Sequence, residues 1–344
     1  MGLNNSKNNE PSLLLQLYGK NNSNTNMIGG STEPETIDFE EDFIGVPNHS
    51  VIFKASQLEQ KMSFDESRKI KSRHQKINLH LGQLKLFFSE LLFLTKYIKD
   101  VNKVLYVGAA AGYHISKLAD LFPDVVFDLW DPGRFDLQER NNIKIFNYPF
   151  TNESARTYAI NKEKILFMSD IRTLTIAKML KSEQNDKVDE IVEEDMLKQA
   201  QWVKIINPVY AYLKFRLPWY SSKSKYLKGT IYLQPYSPLS TEARLMTNNY
   251  NDYVVHDNVD YDEKMAYFNR AIRPFQLSVR WENILNKYDL LNTWDTVLSL
   301  YITDYYLRKM HNIRSDEETG KLFMSILNFH IDVFGKKYDV VFNQ

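Results

Sequence analysis

Val101-Asn102-Lys103-Val104-Leu105-Tyr106-Val107-Gly108-Ala109-Ala110-Ala111-Gly112 opens as a short apolar, β-branched run and closes on a turn with almost no side chains. The run reads as a buried strand, and Tyr113–Leu121 after it has helical spacing. Strand, small-residue turn and helix together form the opening of a nucleotide-binding α/β unit. A polar ligand can lie against backbone N–H groups at such a strand end only where bulky side chains are missing. A second strand, Val125-Val126-Phe127-Asp128-Leu129-Trp130-Asp131, ends in an acid about 20 residues after the turn, where a carboxylate can hold ribose hydroxyls.

Working outward, Leu79–Tyr97 is an amphipathic helix, and Ile143–Phe150 and Lys164–Asp170 read as third and fourth strands. A helix over Asp189–Ile206 closes at Asn207-Pro208. Tyr210–Leu217 is expected as strand five and Gly229–Gln234 as strand six, with Ala243–Met246 and Tyr253–His256 as antiparallel strands. Helical patterns follow at Tyr261–Ile272, Leu290–Met310 and Gly320–Phe334. The alternation predicts an α/β fold, a doubly wound mixed sheet with added C-terminal helices. The glycine turn alone fits NAD binding, S-adenosylmethionine binding or tight packing. A Gly-x-x-x-Gly spacing in place of Gly-x-Gly-x-x-Gly tilts away from NAD.

The chain has 344 residues, 43% of them hydrophobic, and no cysteine. That excludes disulfides, Cys-ligated zinc and thiol catalysis, and fits an intracellular protein. No apolar run reaches the ~18 residues of a membrane span, so no transmembrane segment is expected. Residues 1–35, rich in Asn, Ser and Gly, read as a disordered tail, and 36–344 as one domain. Met1-Gly2-Leu3-Asn4-Asn5-Ser6 matches the short N-myristoylation pattern. The seven histidines show no metal spacing, and no metal is expected.

Lys+Arg and Asp+Glu balance at 43 each, but they are segregated. No acid occurs between Asp195 and Glu242, while Lys198, Lys204, Lys214, Arg216, Lys223, Lys225 and Lys228 do; residues 67–85 repeat the pattern. Such stretches read as a solvated face or as a track for a nucleic-acid backbone, with Lys223, Lys225 and Lys228 as RNA-binding candidates. Four charges stand at the edges of apolar segments: Lys85, Asp170, Lys214 and Glu242. A lysine among apolar residues is costly to bury unless paired or functional.

The segments Gly82-Gln83-Leu84-Lys85-Leu86, Val104–Gly112, Met168-Ser169-Asp170-Ile171-Arg172, Asn207-Pro208-Val209 with Leu213-Lys214-Phe215-Arg216, Leu233-Gln234-Pro235 and Glu242-Ala243-Arg244-Leu245 carry a specific resemblance. In order, over about 79–275, the chain resembles the poxvirus-type cap-specific mRNA (nucleoside-2′-O)-methyltransferases. Members of that family double as regulatory subunits of the viral poly(A) polymerase. The chain looks like a relative from another large DNA virus of mimivirus-like kind. Residues 276–344 then form a C-terminal helical extension.

The resemblance implies a Rossmann-like, S-adenosyl-L-methionine-dependent methyltransferase fold. It implies a catalytic tetrad of Lys85, Asp170, Lys214 and Glu242, with Lys214 as general base. It implies cofactor contacts from Gln83, Tyr106, Gly108, Gly112, Asp131, Arg134, Phe150, Asp170 and Arg172, although Asp131-Pro132-Gly133-Arg134 is longer than the family's turn. For the cap, Trp219 matches one aromatic and Asp262 one acid, with Glu263 as its alternative. Ser221 stands where the family has its second acid, and Phe64 is the candidate for the other aromatic. The implied activity is methylation of the ribose 2′-oxygen of the first transcribed nucleotide of capped mRNA. The alternative is a catalytically weak RNA-binding processivity subunit. The implied partners are capped mRNA and the catalytic subunit of a viral poly(A) polymerase; the implied location is the viral factory in the host cytoplasm, or the virion. A ribose hydroxyl is a poor nucleophile, so the reaction needs in-line placement and a proton acceptor. A lysine beside a second lysine is favoured as a neutral base by like-charge repulsion.

Overall fold

The computed structural model describes residues 51–63, 67, 81–173, 185–219, 221–274, 278–335 and 341–342. The expectations for residues 1–35, Gly2, Phe64 and the basic stretch at 68–80 lie outside these residues.

The described chain opens with a short 3₁₀ turn at Ala55–Gln57 and helix α1, Gly82–Tyr97. The α/β unit follows as β1 (Lys103–Val107), α2 (Tyr113–Leu121), β2 (Val126–Trp130), β3 (Ile143–Phe146), α3 (Asn152–Asn161) and β4 (Ile165–Ser169). Then come α4 (Asn185–Ile206), β5 (Tyr210–Phe215), β6 (Lys223–Leu227), β7 (Thr230–Tyr232), β8 (Ala243–Thr247) and β9 (Tyr253–Asp257). The C-terminal part holds α5 (Asn258–Tyr267), a π turn at Phe268–Ile272, α6 (Glu282–Lys287), α7 (Trp294–His311) and α8 (Asp316–Phe334). The element over Lys223–Leu227 corrects the sequence reading, which saw there only a run of lysines. The strand expected as the sixth is therefore the seventh. The third strand is also shorter than expected, because Phe150 lies beyond it in the lead-in to α3.

Seven strands form one sheet in the order β3-β2-β1-β4-β5-β8-β7, and β6 pairs with β9 as a separate ribbon. β3, β2, β1, β4 and β5 are parallel; β8 alone runs against them, and β7, antiparallel to β8, returns to their direction. From β1 the chain moves outward to β2 and β3, then returns to the other side of β1 with β4. The order therefore reverses between β1 and β4, and in such sheets ligands bind beyond the carboxyl ends of the strands at the reversal. Right-handed crossovers put α2 on one face of the sheet and α3 and α4 on the other. α1, α7 and α8 pack with α2, whereas α3 and α4 pack on each other.

β1 and β4 are buried along almost their whole length, which suits their central places. The register is the fact that matters most for the site. Val107 pairs with Trp130 and with Ser169, Ser169 pairs with Leu213, and Lys214 pairs with Arg244. Gly108, Asp131, Asp170, Lys214 and Arg244 thus stand in one row across the carboxyl edge.

The C-terminal helices hold that edge from behind. A buried Arg273 donates from Nε to both carboxylate oxygens of Asp295 on α7, at 3.0 Å each. Asp295 also accepts from Tyr236 N at 2.6 Å, in the loop between β7 and β8. Asn269 of the π turn donates to Ser240 O at 3.0 Å in the same loop, two residues before Glu242. No helix among the described residues is long and apolar enough to cross a membrane.

Candidate active site

Lys85 enters from α1, Asp170 from the end of β4, Lys214 from β5, and Glu242 from the residue before β8. Residues as far apart as 85 and 242 meet in one chain of ion pairs. Lys85 Nζ lies 2.5 Å from Glu242 Oε1. Lys214 Nζ lies 2.9 Å from Asp170 Oδ1 and 3.5 Å from Glu242 Oε2. Arg172 Nη2 donates to Glu242 Oε2 at 3.0 Å. The backbone of Lys214 is fixed too, since Gln199 of α4 accepts from its N at 3.0 Å and donates to its O at 3.1 Å.

A fifth member was missed in the sequence. Arg244 is fully buried, donates from Nη2 to Asp170 Oδ1 at 2.6 Å, and stands 3.6 Å from Glu242. Its Nε donates to Tyr212 Oη at 3.0 Å, and the guanidinium lies 5.4 Å from that ring's centre. Alternation along a strand was the available signal, because residues 242 and 244 share a face.

Two carboxylates thus sit among Lys85, Lys214, Arg172 and Arg244, and the electrostatics follow. Burial pushes Asp170 up, but Lys214 and Arg244 outweigh it and hold the carboxyl down to about 2. Burial likewise opposes ionisation of Glu242, and Lys214 and Lys85 keep it well below the usual range. Lys85 moves the other way, lowered by burial more than Glu242 restores it. Both acids are therefore anions at neutral pH and anchor the cations.

Beside this cluster a cleft of about 230 Å³ is bounded by Arg172, Lys214, Trp219 and Glu242. Its opposite wall is Val188, Val192 and Met196 of α4. Trp219 is 48% exposed, with the Arg216 guanidinium stacked 4.1 Å from its ring centre. Its loop is tied down by Asn258, whose Nδ2 donates to Pro218 O (3.1 Å), Ser221 O (2.8 Å) and Ser224 Oγ (2.9 Å). Ser221 contributes its carbonyl to that anchor. Asp262 is carried by α5; burial pushes its carboxyl up to about 7 while Arg216 opposes. Asp262 Oδ1 and Arg216 Nη2 are both buried without a hydrogen-bond partner. Glu263 turns elsewhere, 3.6 Å from Lys61. Lys223, Lys225 and Lys228 are exposed on or beside β6, and Lys225 lies 5.7 Å from the Tyr253 ring centre of the pairing strand.

The turn after β1 is closely packed. Gly108 has a φ of +83°, and a Cβ there would stand 2.7 Å from Ile171 N. Gly112 has a φ of +80°, and a Cβ would stand 2.2 Å from Leu137 Cδ2. Both need glycine on conformation and space alike. Asp131 accepts from Ala110 N at 3.2 Å and from Gly133 N at 2.6 Å, so the backbone of both turns caps the carboxylate. Gln83 is partly exposed at the start of α1.

Three expected cofactor positions are engaged with other protein groups. Arg134 is 89% exposed and pairs with Asp136 at 3.2 Å. Phe150 is buried, edge-on to Trp130 at 5.2 Å and to Trp202 at 5.1 Å. Tyr106 is buried, and its hydroxyl donates to Glu90 Oε1 at 2.6 Å. Glu90 and His114 join it in a buried network that the sequence reading left out.

A family model described as poly A polymerase regulatory subunit matches residues 49–323. That range extends beyond the 79–275 stretch of the sequence resemblance at both ends. The chain is 31% identical over 219 residues to a fowlpox virus (strain NVSL) protein named cap-specific mRNA (nucleoside-2′-O-)-methyltransferase, covering 56% of this chain and 68% of that one. It is 26% identical over 242 residues to a myxoma virus (strain Lausanne) protein of the same name, covering 64% and 70%. Among solved structures, bluetongue virus VP4, described as an RNA-capping production line, aligns with a TM-score of 0.38 at 13% identity, over 54% of this chain and 34% of that one. With four-fifths of its length inside the family match, the chain belongs to the poly A polymerase regulatory subunit family.

Proposed function

We propose that this protein transfers a methyl group from S-adenosyl-L-methionine to the ribose 2′-oxygen of the first transcribed nucleotide of capped mRNA. The observation that carries the reading is Lys214. Its Nζ stands at the wall of the cleft, held by Asp170 at 2.9 Å and Glu242 at 3.5 Å. The names of the fowlpox and myxoma relatives support the same chemistry.

The residues at the strand-order reversal suit the methyl donor. The turn from Gly108 to Gly112 carries no side chain beyond a methyl group, and Asp131 at the end of β2 is half-buried. Bound there, S-adenosylmethionine supplies a methyl on a sulfonium, and no metal is needed to activate it. Lys214, as the neutral amine, accepts the hydroxyl proton while the 2′-oxygen bonds to the methyl carbon and that carbon's bond to sulfur breaks. The C–S electron pair leaves with sulfur as the neutral thioether. Lys85 and Arg244 fix Glu242 and Asp170, which in turn aim Lys214. Arg172, half-exposed beside Glu242, is placed to meet a phosphate.

Trp219 offers a stacking face for the methylated guanine, a contact of roughly 1–3 kcal/mol. Asp262 Oδ1 and Arg216 Nη2, each buried without a hydrogen-bond partner, are the candidate polar atoms for reading a base edge. The second reading is a regulatory role beside the catalytic subunit of a poly(A) polymerase; the family's description favours it. The two are compatible on one chain.

Transfer of labelled methyl to capped and uncapped short RNAs tests the first reading. Wild type should label the capped RNA, and Lys214→Arg should not, because a guanidinium stays protonated at any usable pH. Near wild-type labelling by Lys214→Arg would rule out the mechanism. Stimulation of polymerase processivity by a Lys214→Arg protein would show the regulatory role standing alone.

A further inference from the structure

Beneath the turn that follows β1 lies a buried polar chain that the mechanism above does not use. Glu90, on α1, is fully buried, and His114, the second residue of α2, is 1% exposed. Glu90 Oε1 accepts from the Tyr106 hydroxyl at 2.6 Å, and Glu90 Oε2 lies 2.9 Å from His114 Nε2. His114 Nδ1 lies 2.9 Å from Gln83 Oε1, and that oxygen also accepts from His114 N at 3.4 Å. The chain therefore runs Tyr106–Glu90–His114–Gln83. Of its four members only Gln83 reaches the surface.

We infer that Glu90 and His114 are positioning residues for the methyl donor, acting by holding Gln83 so that its amide nitrogen points into the donor's pocket. The inference rests on the methyltransferase reading above. Packing alone does not explain the pair. A carboxylate and an imidazole buried in a helix–helix contact cost more than two apolar groups of the same shape would. The arrangement instead removes freedom from one side chain. Both ring nitrogens of His114 face oxygens, so the ring cannot turn without losing a partner. The backbone N–H of His114 is a donor whatever the tautomer of its ring, and with Gln83 Oε1 facing it the exposed end of the amide is the N–H₂ donor. The strongest acceptor on S-adenosylmethionine is its amino-acid carboxylate, so that is the group Gln83 is placed to meet. Gly112, immediately before α2, fixes where His114 begins.

The C-terminal helix closes the arrangement. His330 on α8 is close enough to His114 and to the Gln83 backbone to interact electrostatically with both. Phe334 meets the Tyr113 ring edge-on at 5.1 Å, and Lys117 Nζ donates to Ser325 Oγ at 3.2 Å. α8 thus braces the first two turns of α2, which carry His114.

Calorimetric titration of S-adenosylmethionine, with capped-RNA binding and thermal melts run in parallel, tests the idea. Gln83→Ala and His114→Phe should each weaken donor binding about 10-fold and leave RNA affinity within twofold. The double variant should lose no more than either single one, since His114 acts through Gln83. Glu90→Gln should recover most of what Glu90→Leu loses, because a buried amide can still bond both Tyr106 and His114. Steady-state assays should show the loss in KM for the donor, with kcat nearly kept. Donor affinity unchanged in His114→Phe, or losses that add in the double variant, would overturn the inference while the methyltransferase reading stands. Failure of the wild type to bind S-adenosylmethionine would overturn both.

Discussion

Arg244 shows what a single residue adds to the site. Sequence reading placed Lys85, Asp170, Lys214 and Glu242 together because each interrupts or ends an apolar segment and each falls in a segment of the family resemblance. Arg244 lies in one of those segments but carries no such signal on its own, since an arginine two residues after an acid is common on exposed strands. Only the pairing of Lys214 with Arg244 across β5 and β8 makes its guanidinium a bridge between Asp170 and Glu242. Replacing it leaves two buried carboxylates short of a cation, and breaking such a pair costs roughly 3–5 kcal/mol. Arg244→Met should therefore lower the denaturant midpoint markedly and also misplace Lys214, so methyl transfer falls in the protein that remains folded. Arg244→Lys should regain part of the stability but not the bond to Tyr212. A denaturation curve for Arg244→Met that overlays wild type would mean the remaining lysines already satisfy both acids.

At the scale of elements, the sheet was legible because its central strands are short continuous apolar runs, each ending at a turn or a charge. Tyr113–Leu121 was read to the residue, since Gly112 and the helical spacing bound it. β6 was not legible. Lys223-Ser224-Lys225-Tyr226-Leu227 has one exposed face of lysines and pairs only with β9, so neither burial nor an apolar run announces it. The ribbon gives the basic stretch a shape that composition could not. It holds Lys223 and Lys225 on one exposed face, with Lys228 just past its end, and Asn258 ties it to the Trp219 loop. A cationic strip joined to an aromatic at the cleft suits an RNA backbone leaving the site. Changing Lys223, Lys225 and Lys228 together to Glu should weaken RNA binding across sequences and flatten its dependence on salt. Cofactor binding should be untouched. An unchanged salt slope would reduce these lysines to a solvated face.

Across the whole molecule, buried groups answer acid in opposite senses. The C-terminal helices pack over α1 and α2 and bury His330, whose imidazole burial pushes down to about 4, with His114 and Lys117 nearby acting in the same sense. Unfolded, that group titrates near 6.5, so the folded state binds fewer protons between the two values. Its contribution is present above about pH 6.5 and is lost as pH falls toward 4, up to about 3 kcal/mol at 1.36 kcal/mol per unit. Burial lowers His256 and His311 as well, adding to the loss. Asp262 works against it. Its carboxyl, raised to about 7 by burial, keeps its proton when the unfolded chain would release it. The folded state is therefore penalised as pH rises from about 4 to 7 and relieved on acidification, and Asp304, raised by burial, acts the same way. Below pH 4 the direction is set by Asp170 and Glu242, held low by Lys85, Lys214 and Arg244, so their stabilisation is lost last. Two variants separate these contributions. Asp262→Asn removes the opposing carboxylate, so stability should fall more steeply than in wild type as pH drops from 6.5 to 4. His330→Phe keeps a ring in the same packing and should make that fall shallower. Melting temperatures taken at half-unit steps of pH check both. Parallel curves for the two variants would mean that neither buried group sets the acid response between pH 6.5 and 4, leaving it to His256, His311 and Asp304.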